Sequence, residues 1–505
     1  MTINFKERAS FIWSIADLLR GDYKQSEYGR VILPLTVLRR LDCVLEPTKQ
    51  AVLEYLPQTK GLSPEAVETV LKKKAKLSFY NKSKFDFQKL VADPNDIAAN
   101  LRNYISGFSK NARDILDHFN FEDHIERLDK SNLLFLIMKR FAEVDLHPDK
   151  IPNIEMGYIF EELIRKFADL SNETAGEHFT PREVIRLMVN VIFLNDRKIL
   201  TEKGKIQTLY DPACGTGGML SVAEEYLREL NPDASLRVFG QELNPESCAI
   251  CNSDMLIKGQ NTDHIKFGNS FTQDGLKDDK FDYMLSNPPF GVEWKKIEAD
   301  IVKEYETLGF SGRFGAGLPR ISDGSFLFLQ HMISKMRPEN GGARLGIVFN
   351  GSPLFSGGAG SGESEIRKWI IEHDMLEAIV ALPDQLFYNT GISTYIWIVT
   401  NRKEKERKGK IQLVNATGFF KKMARSLGNK RNEIGEDHIA EVTKIYGAFK
   451  SGEYCKIFKN EYFGYTRVTV ERPLRLNFQA SQERIDRIDD KEIKKVLNRM
   501  GGTKV

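Results

Sequence analysis

From about residue 200 onward, short apolar runs alternate with helical stretches, and this rhythm constrains the fold more than any other feature. Strand candidates fall at 206–210, 236–241, 281–286, 344–349, 376–382 and 394–400. Helical patterns at 218–230, 244–258, 325–337 and 364–373 lie between them. Such alternation predicts an α/β fold: a mostly parallel sheet with helices on both faces. Ligands on sheets of this kind sit beyond the carboxyl ends of the strands, so chemistry is to be sought there. Residues 1–150 read differently. Phe11, Ile12, Ile15, Leu18 and Leu19 recur at helical spacing, as do Leu133, Leu134, Ile137, Met138 and Phe141. Lys72, Lys73, Lys74 and Lys76 form a basic knot that reads as a solvated helix face.

The first strand of the α/β part runs into Asp211-Pro212-Ala213-Cys214-Gly215-Thr216-Gly217-Gly218, followed by a helix. Glycines at such a turn let a ligand approach the backbone and offer it N–H groups. The second strand ends in Glu242, whose carboxylate can accept both hydroxyls of a ribose. Together they suit an adenosine-containing ligand, with NAD and S-adenosylmethionine both open. No phosphate-cradling GxxxxGK[ST] sequence occurs.

The decisive segment is Asn287-Pro288-Pro289-Phe290, at the end of another apolar run. An exocyclic amine on a base is a poor nucleophile because its lone pair is delocalised into the ring. Two acceptors, the Asn287 side-chain oxygen and the Pro288 carbonyl, can hold both amine hydrogens and aim the lone pair at an electrophilic methyl. Pro288 and Pro289 fix φ and hold the carbonyls in place. Phe290 can stack on a planar base.

In that order, DPACGTGG, Glu242 and NPPF resemble the amino-methyltransferases that use S-adenosylmethionine. Glu177-His178-Phe179-Thr180-Pro181-Arg182, upstream of the glycine turn, is similar to the extra cofactor motif of the permuted class. With the helical amino-terminal part and LPDQLFYNTGISTYIWIV, the chain resembles the modification subunit of type I restriction–modification systems. The resemblance implies a Rossmann-like methyltransferase sheet with an N-terminal helical domain (1–150), a catalytic domain (151–420) and a C-terminal helical, basic region (421–505). It implies methyl transfer to N6 of a flipped adenine in double-stranded DNA. Asn287, Pro288, Pro289 and Phe290 match the catalytic turn. Glu177, His178, Phe179, Thr180, Pro181, Arg182, Asp211, Gly215, Thr216, Gly217, Gly218 and Glu242 match the cofactor site. A second aromatic often covers the base, and Phe387 or Tyr388 is the candidate. Asn269 stands where relatives commonly carry Asp toward the cofactor adenine; its amide oxygen can still accept, without charge.

The resemblance also implies company: two modification subunits on one specificity subunit, to which a motor-nuclease subunit can be added. Alternatives are N4-cytosine methylation, methylation of RNA or a protein amide, and a non-catalytic assembly subunit. Residues 291–325, a long polar insertion after NPPF, are placed to close over a flipped base.

Composition adds further expectations. Five scattered cysteines, with no apolar leader or membrane-length run, suit reduced thiols in a cytoplasm. Cys248 and Cys251 form a lone C-x-x-C with no second pair and no nearby His pair. They read as two small apolar positions on a helix rather than a metal site. The net charge of +3 excludes a protein that must coat DNA by itself. The segment 402–431 nevertheless holds eleven Lys/Arg and two Glu, a local net of +9. Lys421, Lys422, Arg425, Lys430 and Arg431 are the candidate DNA-backbone contacts.

Overall fold

The computed structural model describes residues 4–171, 180–196, 200, 202, 206–338, 341–388, 390–466, 468–472, 481–488 and 490–499. Residues Met1–Phe463 and Gly464–Val505 form separate compact units. The first holds eleven strands among its described residues: β1 (Ile206–Asp211), β2 (Ser235–Glu242), β3 (Ile265–Phe267), β4 (Tyr283–Ser286), β5 (Arg344–Phe349), β6 (Leu376–Ala381), β7 (Tyr395–Thr400), β8 (Lys410–Asn415), β9 (Lys421–Leu427), β10 (Lys430–Glu433) and β11 (Cys455–Lys459).

Nine strands make one sheet in the order β11-β8-β6-β7-β5-β4-β1-β2-β3, and β9 and β10 pair as a separate hairpin. From β3 through β5 every pairing is parallel. The six strands expected from the sequence all form. The sheet is less uniformly parallel than expected, because β7 runs antiparallel between β5 and β6, and β11 antiparallel to β8. Strand order reverses direction at β1, where β2 and β3 extend one way and β4 and β5 the other. That reversal opens a crevice at the carboxyl ends of β1 and β4.

The amino-terminal helices bury a core of their own around the long helix Tyr28–Tyr55. Ile159, Phe160 and Leu163 of helix Asn153–Ser171, and Ala249, Ile250 and Leu256 of helix Pro245–Ile257, belong to the same core. The helical part therefore grips the helices that flank the crevice. The Lys72–Lys76 knot follows its expected role: Lys72 pairs with Glu68 at 2.7 Å and the Lys74 ammonium lies 4.4 Å from the Tyr55 ring.

Beyond residue 420 the expected helical region contains the β9–β10 hairpin, helix Glu436–Ala448 and β11. β8 and β11 extend the main sheet, so no structural boundary falls at 420/421. Alternation in these strands is short and set among charged residues, which hides it. The second unit holds helices Gln482–Asp486 and Lys491–Arg499. No helix among the described residues is long and apolar enough to cross a membrane.

Candidate active site

A cavity of about 470 Å³ lies at the carboxyl ends of β1, β2 and β4, a volume suited to a small-molecule ligand. Each strand delivers one polar group to it. β1 ends on Asp211, whose Oδ1 accepts from the Ala213 N–H (3.0 Å) and the Ser286 hydroxyl (2.8 Å). The second bond ties the end of β1 to the end of β4, one residue before Asn287. Burial pushes the Asp211 carboxyl up to about 7; its two hydrogen bonds oppose this, and the nearby Glu242 charge adds to it.

The turn after β1 needs its glycines. Gly215 and Gly217 have φ of 54° and 83°, and a Cβ on Gly217 would come 2.8 Å from the Cys251 sulfur. Glu242 ends β2 and clamps this turn: one carboxylate oxygen accepts from the Gly215 N–H at 2.8 Å, the other from the Asn244 N–H at 2.7 Å. Each oxygen keeps a further acceptor site, which two ribose hydroxyls can use.

At the end of β4 the Asn287 side-chain oxygen is buried and has no hydrogen-bond partner. A buried amide oxygen left alone is costly, so a donor from a ligand fits there. The glycine turn, the Glu242 carboxylate and this oxygen on one cavity are the donor and acceptor set that S-adenosylmethionine and a target amine require.

Of the residues singled out in the sequence, Thr180, Asp211, Gly215, Thr216, Gly218, Glu242, Asn269, Asn287 and Pro289 line the cavity. Gly217 shapes the turn from behind. Pro288 is buried next to the wall. Glu177, His178 and Phe179 lie outside the described residues.

Several expectations are corrected. Pro181 precedes helix Arg182–Phe193 and is buried away from the cavity wall. Arg182 sits behind the wall, paired with Glu161 at 3.1 Å and stacked 4.5 Å from the Tyr158 ring. The Asn269 oxygen already accepts from the Phe271 and Thr272 N–H groups (2.8 and 3.3 Å), because it closes the turn after β3. Phe387 is only 1% exposed and meets Phe290 edge-to-face, ring centres 6.1 Å apart; neither these rings nor Tyr388 border the cavity. Lys430 is buried: it pairs with Glu183 and donates to the Leu386 and Asn432 carbonyls at 3.0 Å.

Sequence reasoning missed Glu161, Leu243, Ser270 and Phe271, which also line the cavity. Leu243 directly follows the end of β2 and Phe271 lies in the turn closed by Asn269 after β3; apolar residues beside those readable positions were the available signal. Glu161 had none, being one carboxylate on an amphipathic helix. The insertion 291–325 is folded rather than loose. Trp294, Ile301 and Phe314 pack with Phe271 and Leu327 in a small core, and Arg313 donates to the Ser270 and Phe271 carbonyls at 3.0 and 2.7 Å.

A parallel sheet reversed at β1, with β7 inserted antiparallel, a glycine turn, an acidic strand end and a side-chain amide before two prolines, defines the class of S-adenosylmethionine-dependent amino-methyltransferases. Residues 153–465 match the family model N-6 DNA Methylase, and residues 8–141 match the HsdM N-terminal domain. The chain belongs to the N-6 DNA methylase family. It is 28% identical over 460 residues to a type I restriction enzyme MjaIX methylase subunit of Methanocaldococcus jannaschii, covering 88% of this chain and 77% of that one. It is 31% identical over 294 residues to the HindI methylase subunit of Haemophilus influenzae, covering 57% of this chain and 59% of that one. Among solved structures, the methyltransferase subunit of a type I restriction–modification system from Streptococcus thermophilus shares the fold. The TM-score is 0.70 at 21% identity, with 91% of this chain and 96% of that one covered.

Proposed function

We propose that this chain is the modification subunit of a type I restriction–modification complex, and that it transfers a methyl group from S-adenosylmethionine to N6 of adenine in double-stranded DNA. The carrying observation is the buried, unpartnered Asn287 oxygen on the same cavity as the glycine turn and Glu242. When bound, the cofactor supplies a methyl group made electrophilic by its sulfonium. Gly215 and Gly217 donate their N–H groups to Glu242 and the Cys214 carbonyl, so Thr180 and the N–H groups of Thr216 and Gly218 hold the anionic end of the ligand, and Glu242 holds the ribose. Asn287 and the Pro288 carbonyl take the two hydrogens of the target amine, favouring a pyramidal nitrogen whose lone pair faces the methyl. The amine becomes acidic only as it is methylated, so no strong base is required of the chain. Adenine N6 is paired within a duplex, so the base must be flipped into the cavity.

Sequence reading belongs to a specificity subunit carrying two such modification subunits. The family likeness supports that assignment, and a shared fold with a type I assembly structure (TM-score 0.56, 21% identity) is consistent with it. The exposed Lys422 and Arg431 contact the DNA backbone. The test is transfer of isotope-labelled methyl groups from S-adenosylmethionine, with the specificity subunit present, to DNA, RNA and protein offered together. Label is expected in DNA. Label in RNA or protein alone overturns the reading.

A further inference from the structure

The amino-acid end of S-adenosylmethionine carries a carboxylate and an ammonium on one carbon. Thr216 and Gly218 of the turn, with Thr180, offer N–H and O–H donors, which suit the carboxylate. Donors cannot satisfy an ammonium, which needs acceptors. The cavity wall beside that turn holds one carboxylate that no motif announced, Glu161 of helix Asn153–Ser171.

Three observations bear on it. Glu161 lines the same cavity as Thr180, Thr216 and Gly218, and its Oε1 lies 3.5 Å from where a Cβ on Gly218 would stand. Its side chain is 12% exposed, so the carboxylate is held at the wall rather than in solvent. It is also supported from behind. Arg182 pairs with it, and Arg182 is in turn placed by the Tyr158 ring and by Gly157, where a Cβ would collide with its Nη2. That support resembles the way a binding group is preorganised by packed neighbours. Burial raises the Glu161 carboxyl above its ordinary value while Arg182 opposes the rise.

We propose that Glu161 is a cofactor-binding residue whose carboxylate accepts hydrogen bonds from the α-ammonium of S-adenosylmethionine, with Arg182 as the positioning residue behind it. The charges then balance: Glu161 against Arg182, and the ligand's ammonium against its own carboxylate, in alternating order. This rests on the cofactor assigned above.

The experiment is calorimetric titration of the full chain and of its Glu161→Gln variant with two ligands. One is S-adenosylmethionine; the other is 5′-methylthioadenosine, which keeps the nucleoside and lacks the amino acid. Glu161→Gln is expected to weaken S-adenosylmethionine about tenfold or more, the scale of a hydrogen bond to a charged group. Methylthioadenosine affinity should stay within about twofold, since it makes no contact that the charge serves. Equal losses for both ligands would make Glu161 a structural residue and overturn the proposal, as would unchanged S-adenosylmethionine affinity. Should Glu161→Gln fail to fold, Glu161→Asp keeps the charge on a shorter stem. A loss confined to the amino-acid ligand supports the proposal, and a uniform loss or none overturns it. If the wild-type chain binds methylthioadenosine and S-adenosylmethionine equally, the ammonium contact is refuted. If it binds neither, the cofactor assignment itself falls.

Discussion

The carboxyl ends of β1, β2 and β4 and the basic run 402–431 both present candidate functional residues in the sequence, and the structure treats them differently. At the strand ends, residues chosen by motif come together on one cavity. In the basic run, the charges disperse. Arg402 pairs with Asp196 at 2.7 Å, Lys403 with Asp374 at 2.6 Å, and Lys430 with Glu183. Arg407 is 1% exposed and donates to Gln412 and the Tyr446 carbonyl, both at 2.8 Å. A motif is read from residues a few positions apart, and a strand–turn–helix delivers them together. A charge count ignores partners supplied by distant segments, which in these three ion pairs lie 29 to 247 residues away. Local density of lysine and arginine is therefore a poor measure of the charge a surface offers to DNA.

Substitutions can break or sharpen this contrast. The largest effect is expected at Asn287. Asn287→Ala should lower the single-turnover methyl-transfer rate about 100- to 1,000-fold, the usual loss when a preorganised polar contact to the reacting group is removed. Cofactor affinity should hardly change. A comparable loss of cofactor binding would mean that Asn287 only shapes the cavity. In the basic run, Lys430→Met leaves Glu183 without its cation and should lower unfolding free energy by about 3 kcal/mol in denaturant titrations. Lys422→Met, at the surface of the neighbouring strand, should change it by less than about 0.5 kcal/mol. Similar values for the two would put Lys430 back among the surface cations.

Glu242→Gln should weaken cofactor binding about tenfold, since it replaces a charged acceptor toward both the ribose and the Gly215 N–H. Asp211 gives a pH signature instead. Its folded carboxyl sits at about 7, above its ordinary value of 3.8, so folding takes up a proton between those two values. The resulting stabilisation is complete below about pH 4 and is lost as pH rises through 7. Asp211→Asn keeps an Oδ1 for both hydrogen bonds and should flatten that slope in unfolding free energy measured from about pH 4 to 8. An unchanged slope would show that Asp211 is already ionised throughout. The smallest effect belongs to the exposed cations: each of Lys422→Ala and Arg431→Ala should reduce the salt dependence of DNA binding by about one unit in the log–log slope. An unchanged slope removes the hairpin from the DNA surface.

The legible parts of the sequence share one property. Six strands of the main sheet, the glycine turn, Glu242 and Asn287 are each specified by their immediate neighbours along the chain. What escaped depends on long-range packing. β7 enters between β5 and β6 in the opposite direction, and nothing in TYIWIVT records direction. β11 is a five-residue strand that carries two lysines. Phe387 carries a recognisable neighbourhood, yet its ring is drawn into the core beneath the sheet rather than left at the cavity. Asn269 has a side chain that can accept, but the turn it closes takes up its oxygen first. Glu161 illustrates the converse: a functional position with no local signature, visible only when a helix well upstream of the glycine turn is packed against it.

The central claim is that the cleft at the ends of β1, β2 and β4 methylates the exocyclic amine of adenine. Nucleoside mass spectrometry of duplex DNA, after incubation with S-adenosylmethionine, this chain and its specificity subunit, tests it most directly. N6-methyladenine is expected as the new nucleoside, formed about 100- to 1,000-fold more slowly with Asn287→Ala. N4-methylcytosine in its place, or N6-methyladenine formed undiminished by the variant, would contradict it.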